Sequence, residues 1–359
     1  MKASHLVANQ LPKNPSDIIW LSSGFIGDVI LTTAGTELAA KRFPNARQHV
    51  ITTPIGVKAL AHARGLTSLI AFNKHSKSTL QAFKDVKTAV SHHLQPSETV
   101  MLQVHRSFRS SLLARYLAFP TITYHETNLA FLAQEKVTRI AVFHEAARIS
   151  LLLEPLGIDR KDIQTAKPFL SSETLRPDIG NLLDGNAKGW VAVAPGSVWG
   201  TKRWTTSGFV ELIKMILADG YGVVLVGSKA EEDVAAEIFK SIQPTDALKN
   251  LVGATVLEDL PGLFNRCKLL VSNDSSPIHF ASAVNLPTVA IFGATIPEMG
   301  FGPLGEHSTS VGISLQCRPC SDHGPMTCPL GHFRCMKDLL AALVFAQVKP
   351  LLQIPTRYS

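Results

Sequence analysis

Four stretches of the chain combine residue types at spacings that could do chemistry. In Ser22-Ser-Gly-Phe-Ile-Gly-Asp-Val-Ile-Leu-Thr-Thr an apolar run ends in a glycine-containing turn, and Asp28 falls in the first turn of the helix that follows. A carboxylate there either caps the helix and complements its dipole or, at a strand end facing a cleft, deprotonates a hydroxyl nucleophile. The third glycine of a dinucleotide fingerprint is missing. In Ala194-Pro-Gly-Ser-Val-Trp-Gly-Thr-Lys-Arg-Trp small residues allow close approach to an anion, while Ser197, Thr201, Lys202 and Arg203 supply donors and charge. This is either a phosphate cradle without a Walker sequence or a charged surface loop. In Val271-Ser-Asn-Asp-Ser-Ser-Pro-Ile-His, Pro277 suits the first helical position. Free N–H groups there, with Ser275 and Ser276, could take a diphosphate, and Asp274 and His279 could approach one bound sugar or phosphate. The other reading is an N-cap with a packed histidine. Lastly, Cys317, Cys320, Cys328 and Cys335 cluster within 19 positions. Their C-x2-C start suits a structural zinc or iron site, with His323 and His332 as spare ligands; the alternative is reduced or partly disulfide-bonded thiols. Cys267 stands apart in an expected helix, as a core residue.

The elements that must position these residues alternate. Apolar runs at 17–22, 47–52, 68–72 and 98–104 read as buried strands, with helices over about 27–42 and 106–116. A second series runs through 189–194, 222–227, 268–272 and 287–293, with helices near 207–219, 230–242, 257–265 and 277–285. Such alternation predicts parallel sheets with crossover helices. The polar stretch 171–188 reads as a linker. An α/β chain of two doubly wound domains follows, with ligands expected at the carboxyl ends of the strands near a cleft between domains.

Composition narrows the function classes. The 359 residues are 45% apolar and 18% charged, enough for two cores. The apolar run 339–346 is far below the ~20 residues a bilayer span requires, and the first ten residues contain no apolar leader core. Residues 1–180 hold 21 of the 35 Lys and Arg but 13 of the 28 Asp and Glu, so the whole +7 excess belongs to the N-terminal half. That half should attract a polyanion or an anionic surface. No zinc-finger spacing, helix-turn-helix or aromatic-interleaved basic run points to nucleic acid. His105, Arg106 and Arg109 follow a strand end, where bidentate arginine contacts could hold carboxylate or phosphate; an exposed helix start with scattered arginines is the plainer reading.

In this order and spacing, the motifs at 26–33, 195–204, 273–279, 291–295 and 317–335 resemble glycosyltransferase family 9, the ADP-heptose:lipopolysaccharide heptosyltransferases, over about Trp20 to Asp338. The resemblance implies a GT-B fold: two Rossmann-like domains facing a central cleft, with no cofactor required for catalysis. The N-terminal domain, 1–175, would bind the acceptor. The C-terminal domain, 186–338, would bind the nucleotide sugar, and a C-terminal helix within 339–359 would pack back on the N-terminal domain. By the same resemblance Asp28 is the general base, Lys202 and Ser197 serve the donor phosphates, and Glu231 binds the ribose. Thr255 contacts adenine, and Asp274 and His279 lie near the sugar and diphosphate. The implied partners are ADP-heptose and the inner core of lipopolysaccharide, carried on the cytoplasmic face of the inner membrane, with peripheral attachment. Ser276 stands where the family has glycine, and Ala34 where it has proline. A nucleotide-sugar 2-epimerase, or a non-catalytic sugar-nucleotide- or nucleic-acid-binding protein, is the rival expectation.

Overall fold

The computed structural model describes residues 10–91, 94–186 and 188–354. The N-terminal stretch read for a leader lies, but for Gln10, outside them. The chain divides into two compact units, Met1–Phe169 and Leu170–Ser359.

The first unit is built on a parallel six-stranded sheet: β1 (Asp17–Leu21), β2 (Arg47–Thr52), β3 (Ser68–Ala71), β4 (Thr99–Gln103), β5 (Thr121–Tyr124) and β6 (Glu135–Val137), in spatial order β3-β2-β1-β4-β5-β6. β1 and β4 are buried along their whole length, which is why they read as unbroken apolar runs. The order reverses between β1 and β4, where a doubly wound sheet opens a crevice beyond its strand ends.

The helix Ile26–Arg42 follows the loop that leaves β1 at that junction. Its first turn carries Asp28 and its last turn Lys41 and Arg42, each sign matched to the helix dipole. It rides close to the sheet, because a Cβ on Gly35 would stand 2.5 Å from the Trp20 ring. Trp20 donates to Gln48 at 3.0 Å, and Gln48 donates to the Thr36 carbonyl at 2.9 Å. Gly35→Ala must therefore lift the helix off β1. We expect a loss of about 1–3 kcal/mol, read as a lower urea midpoint; an unchanged midpoint would mean that the sheet yields freely.

The second unit repeats the plan with β7 (Trp190–Ala194), β8 (Gly222–Leu225), β9 (Leu248–Asn250), β10 (Cys267–Asn273), β11 (Thr288–Ile291) and β12 (Thr309–Val311), ordered β12-β11-β10-β7-β8-β9. Here the reversal falls between β7 and β10. Cys267 opens a strand, not the expected helix, and is buried.

Two boundaries differ from expectation. The units part at Phe169, before the polar stretch. That stretch is held by the second unit, through Leu170 N–H to the Ala283 carbonyl at 3.0 Å and Arg176 to Asp259 at 3.0 Å. The helix Ala341–Leu352, expected to return to the N-terminal domain, belongs to the core of the second unit. Val344, Val348 and Leu352 close the core over the helix Thr206–Ala218. Trp204 and Tyr221 donate to the Leu339 and Leu352 carbonyls at its two ends, each at 3.0 Å. Residues 355–359 lie outside the described part.

Candidate functional site

In the first unit β1 and β4 deliver their loops side by side. Leu21 pairs with Gln103, and the N–H groups of Val104 and His105 both donate to the Leu21 carbonyl. The β1 loop needs a bare backbone: a Cβ on Gly24 would come 2.9 Å from Asp28 Oδ2 and 3.5 Å from the His105 ring. Asp28 is half-buried and accepts a hydrogen bond from the Phe25 N–H. Burial, followed by the negative charge of Glu145, pushes its pKa up to about 7 against the pull of Arg139 and Arg106. A carboxyl held there is tuned for proton transfer near neutrality.

The three residues expected to dock an anion differ in burial and in partners. His105 Nδ1 lies 3.1 Å from Ser23 Oγ and 3.0 Å from Ser110 Oγ. Burial, with Lys74 and Arg106 nearby, lowers its pKa to about 4, so its imidazole is neutral at neutral pH. Arg109 is exposed and donates to the Lys74 carbonyl. Arg106 is exposed too, and its charge reaches Asp28.

Sequence reasoning missed the group opposite Asp28. Glu145 starts the short helix Glu145–Ser150, capped by the His144 ring accepting from the Ala146 N–H at 3.1 Å. Its Oε2 accepts from Arg139 and, at 3.1 Å, from Arg148. The only trace in the sequence is the three-residue spacing of Glu145 and Arg148, a common surface pair on helices.

In the second unit Asn273, at the end of β10, joins the two loops of the reversal point. Its amide donates to the Pro195 carbonyl at 2.7 Å, and its carbonyl oxygen accepts the Trp204 N–H at 3.0 Å. This brace sets Lys202 Nζ 2.7 Å from Asp274 Oδ2, which also accepts from Thr295 Oγ1 at 2.6 Å. Ser197 is buried, and its carbonyl accepts from Arg203 at 2.7 Å. Ser275 Oγ donates to the Asn273 carbonyl at 3.2 Å, and Ser276 precedes the helix Pro277–Ala283. His279 is buried on that helix, edge-on to Phe301. Glu231 accepts from Ser228 N–H and Oγ at 2.7 and 2.6 Å, and its side chain lies against Gly196, where a Cβ would meet it at 2.3 Å. Thr255 follows β9, half-buried, in a turn onto the Leu251 carbonyl. Thr201 is buried, and its hydroxyl donates to the Pro325 carbonyl at 2.5 Å, which anchors a loop.

That loop belongs to the cysteine-rich segment, which buttresses the Lys202 loop. Trp199 stacks on His323 at 6.2 Å, and Gly200 sits so close to the Met326 carbonyl that a Cβ would reach 2.3 Å. Cys335 is taken into the core, and burial pushes its thiol up to about 11. Cys320 Sγ donates to the Cys317 carbonyl at 3.3 Å, while Cys317 Sγ is 4.0 Å from His332 Nε2. Among the described residues no group of three or more His, Cys, Asp or Glu is arranged to hold a metal ion. The zinc or iron site expected of the four cysteines is not among such groups, and no step below uses one. Nor is any helix among the described residues long and apolar enough to cross a membrane.

Comparison with known proteins agrees with this anatomy. A family model described as glycosyltransferase family 9 (heptosyltransferase) matches residues 88–331. Lipooligosaccharide heptosyltransferase 2 of Campylobacter jejuni is 33% identical over 171 residues, 47% of this chain and 52% of that one. The chain thus spans about half the length of the curated relatives it matches at this level. Among solved structures, ADP-heptose lipopolysaccharide heptosyltransferase II of Escherichia coli matches with TM-score 0.75 at 21% identity, over 94% of this chain and 98% of that one. A family 9 glycosyl transferase from Veillonella parvula matches with TM-score 0.82 at 18% identity, over 96% and 98%. At such identities the likeness is one of fold.

Proposed function

The chain belongs to glycosyltransferase family 9, and from that premise we propose that it moves a heptose from ADP-heptose to the inner core of lipopolysaccharide, inverting the anomeric centre. One observation carries the reading: the half-buried Asp28 carboxyl in the first turn of the helix that follows β1, with its pKa raised to about 7. In the transfer an acceptor hydroxyl oxygen bonds to the anomeric carbon and gives its proton to Asp28. The bond from that carbon to the β-phosphate oxygen breaks, and ADP leaves with the electron pair. Lys202, already fixed by Asp274 at 2.7 Å, stabilises the charge that develops on the diphosphate. Ser197, Ser275, Ser276 and His279 line the donor's phosphates and sugar, with Glu231 at the ribose and Thr255 at the adenine.

The acceptor is held by Arg106, whose exposed guanidinium suits a phosphate or carboxylate. The excess of Lys and Arg in residues 1–180 draws the protein to the anionic cytoplasmic leaflet where such an acceptor is anchored. Mass spectrometry of product formed from ADP-heptose and a panel of truncated lipopolysaccharides tests the reading. We expect one added heptose on one truncation and stoichiometric ADP. An epimerised sugar nucleotide, or ADP released with no glycan product, would overturn it.

A further inference from the structure

Glu145 does something no motif announces. It is close to fully buried, and one oxygen takes both the Arg139 and the Arg148 guanidinium groups. Arg148 is bolted in turn to the carbonyls of Ile140, at 3.2 Å, and Ala141. One carboxylate and two cations therefore form a fixed unit, on a helix packed along the helix of Asp28. Burying such a cluster is a poor way to gain stability, since apolar residues of similar volume usually serve the fold as well.

Its electrostatics point to a different use. Among the groups that face Asp28, Glu145 raises its proton affinity, while Arg139 and Arg106 lower it. His105 and Tyr124 stay uncharged near neutrality, held so chiefly by burial. Arg139 keeps about a fifth of its side chain open to solvent.

We propose that Glu145 is a positioning residue for the transfer: it holds the Arg139 guanidinium away from an ion pair with Asp28, leaving that carboxylate free as the base and the open edge of Arg139 free for an anionic group of the acceptor. The inference rests on the transferase reading of Asp28 and adds what keeps that residue basic.

The test is steady-state transfer from ADP-heptose to a truncated lipopolysaccharide across about pH 5–9, with Glu145→Gln, Glu145→Asp and Arg139→Met beside the unmodified protein. Glu145→Gln should move the acid limb of kcat/KM down by about one unit and cut the plateau roughly tenfold, because a weaker base transfers protons less well. The acceptor KM should rise. Glu145→Asp, which keeps the charge, should return the limb to its original position, and Arg139→Met should move it up. An unmoved limb and unchanged acceptor KM in folded Glu145→Gln would overturn the proposal, as would an unmoved limb in Arg139→Met should the first variant not fold. Carboxyl carbon NMR titration of Asp28 in the same proteins gives a reading independent of turnover. Unmodified protein that makes no product while Asp28 still shifts with Glu145→Gln would sink the transferase reading and leave the coupling standing; an Asp28 titration blind to Glu145→Gln would sink the coupling alone.

Discussion

Asp28→Asn should abolish heptosyl transfer and, above neutral pH, make the protein more stable. The rate falls by about 10²–10⁴ because the amide cannot accept the acceptor's proton, while ADP affinity in the second unit is unchanged. The stability effect follows from the same burial. Burial raises the Asp28 pKa from the ordinary carboxylate range to about 7 in the folded chain. A raised pKa favours folding while the group is protonated; that contribution is complete below about pH 4 and is lost as pH climbs through 7. At about pH 8 the folded protein holds a desolvated carboxylate that the unfolded chain would hydrate, at a cost whose ceiling is roughly 4 kcal/mol and which its water-facing edge reduces. Asn carries no such charge. Thermal unfolding should therefore show a higher Tm for the variant at about pH 8, the gap narrowing as pH falls and closing at about pH 4. A variant that turns over at the original rate would remove Asp28 from the chemistry. Equal Tm values at alkaline pH would say that the carboxyl is better hydrated than its surroundings suggest.

Lys202→Met should cost about as much in rate, and for a separable reason. Removing one preorganised charge from a leaving diphosphate costs about 10²–10³ in kcat. The same change takes the cation from Asp274, whose side chain is only 7% exposed, and leaves it the hydrogen bond from Thr295 Oγ1. Breaking a buried pair from one side costs about 3–5 kcal/mol, so Lys202→Met alone would mix lost catalysis with lost stability. The double variant Lys202→Met with Asp274→Asn separates them. Its Tm should recover toward that of the unmodified protein, because no charge is left unpaired, while kcat stays low. Should the double variant regain activity together with stability, Lys202 would be a structural partner of Asp274 and not the group that meets the diphosphate.

How much of this could be read from the chain varies with the physics involved. β1, β4, β7 and β10 were legible because a strand buried on both faces carries an apolar run through its middle. The edge strands β6, β9 and β12, three residues each with two of them polar, carry no such run and were not found. Asp28, Lys202 and Asp274 stood out because each follows an interior strand at a turn of small residues. Glu145 and Arg139 did not, since they lie on a six-residue helix and the segment before it, and their importance comes from facing Asp28 across packed helices.

The sequence by itself determined the class of fold, the two-unit plan and the motif that holds each principal charged group, because apolar periodicity and turn chemistry are local properties. Tertiary structure alone decided which of those groups are charged and what they touch. It made His105 neutral and Thr201 a loop anchor, drew Cys335 into the core and laid the last helix on the second unit. Those outcomes depend on desolvation and on neighbours remote in the chain, and a carboxyl's pKa of about 7 is set by what surrounds it and not by the letters beside it.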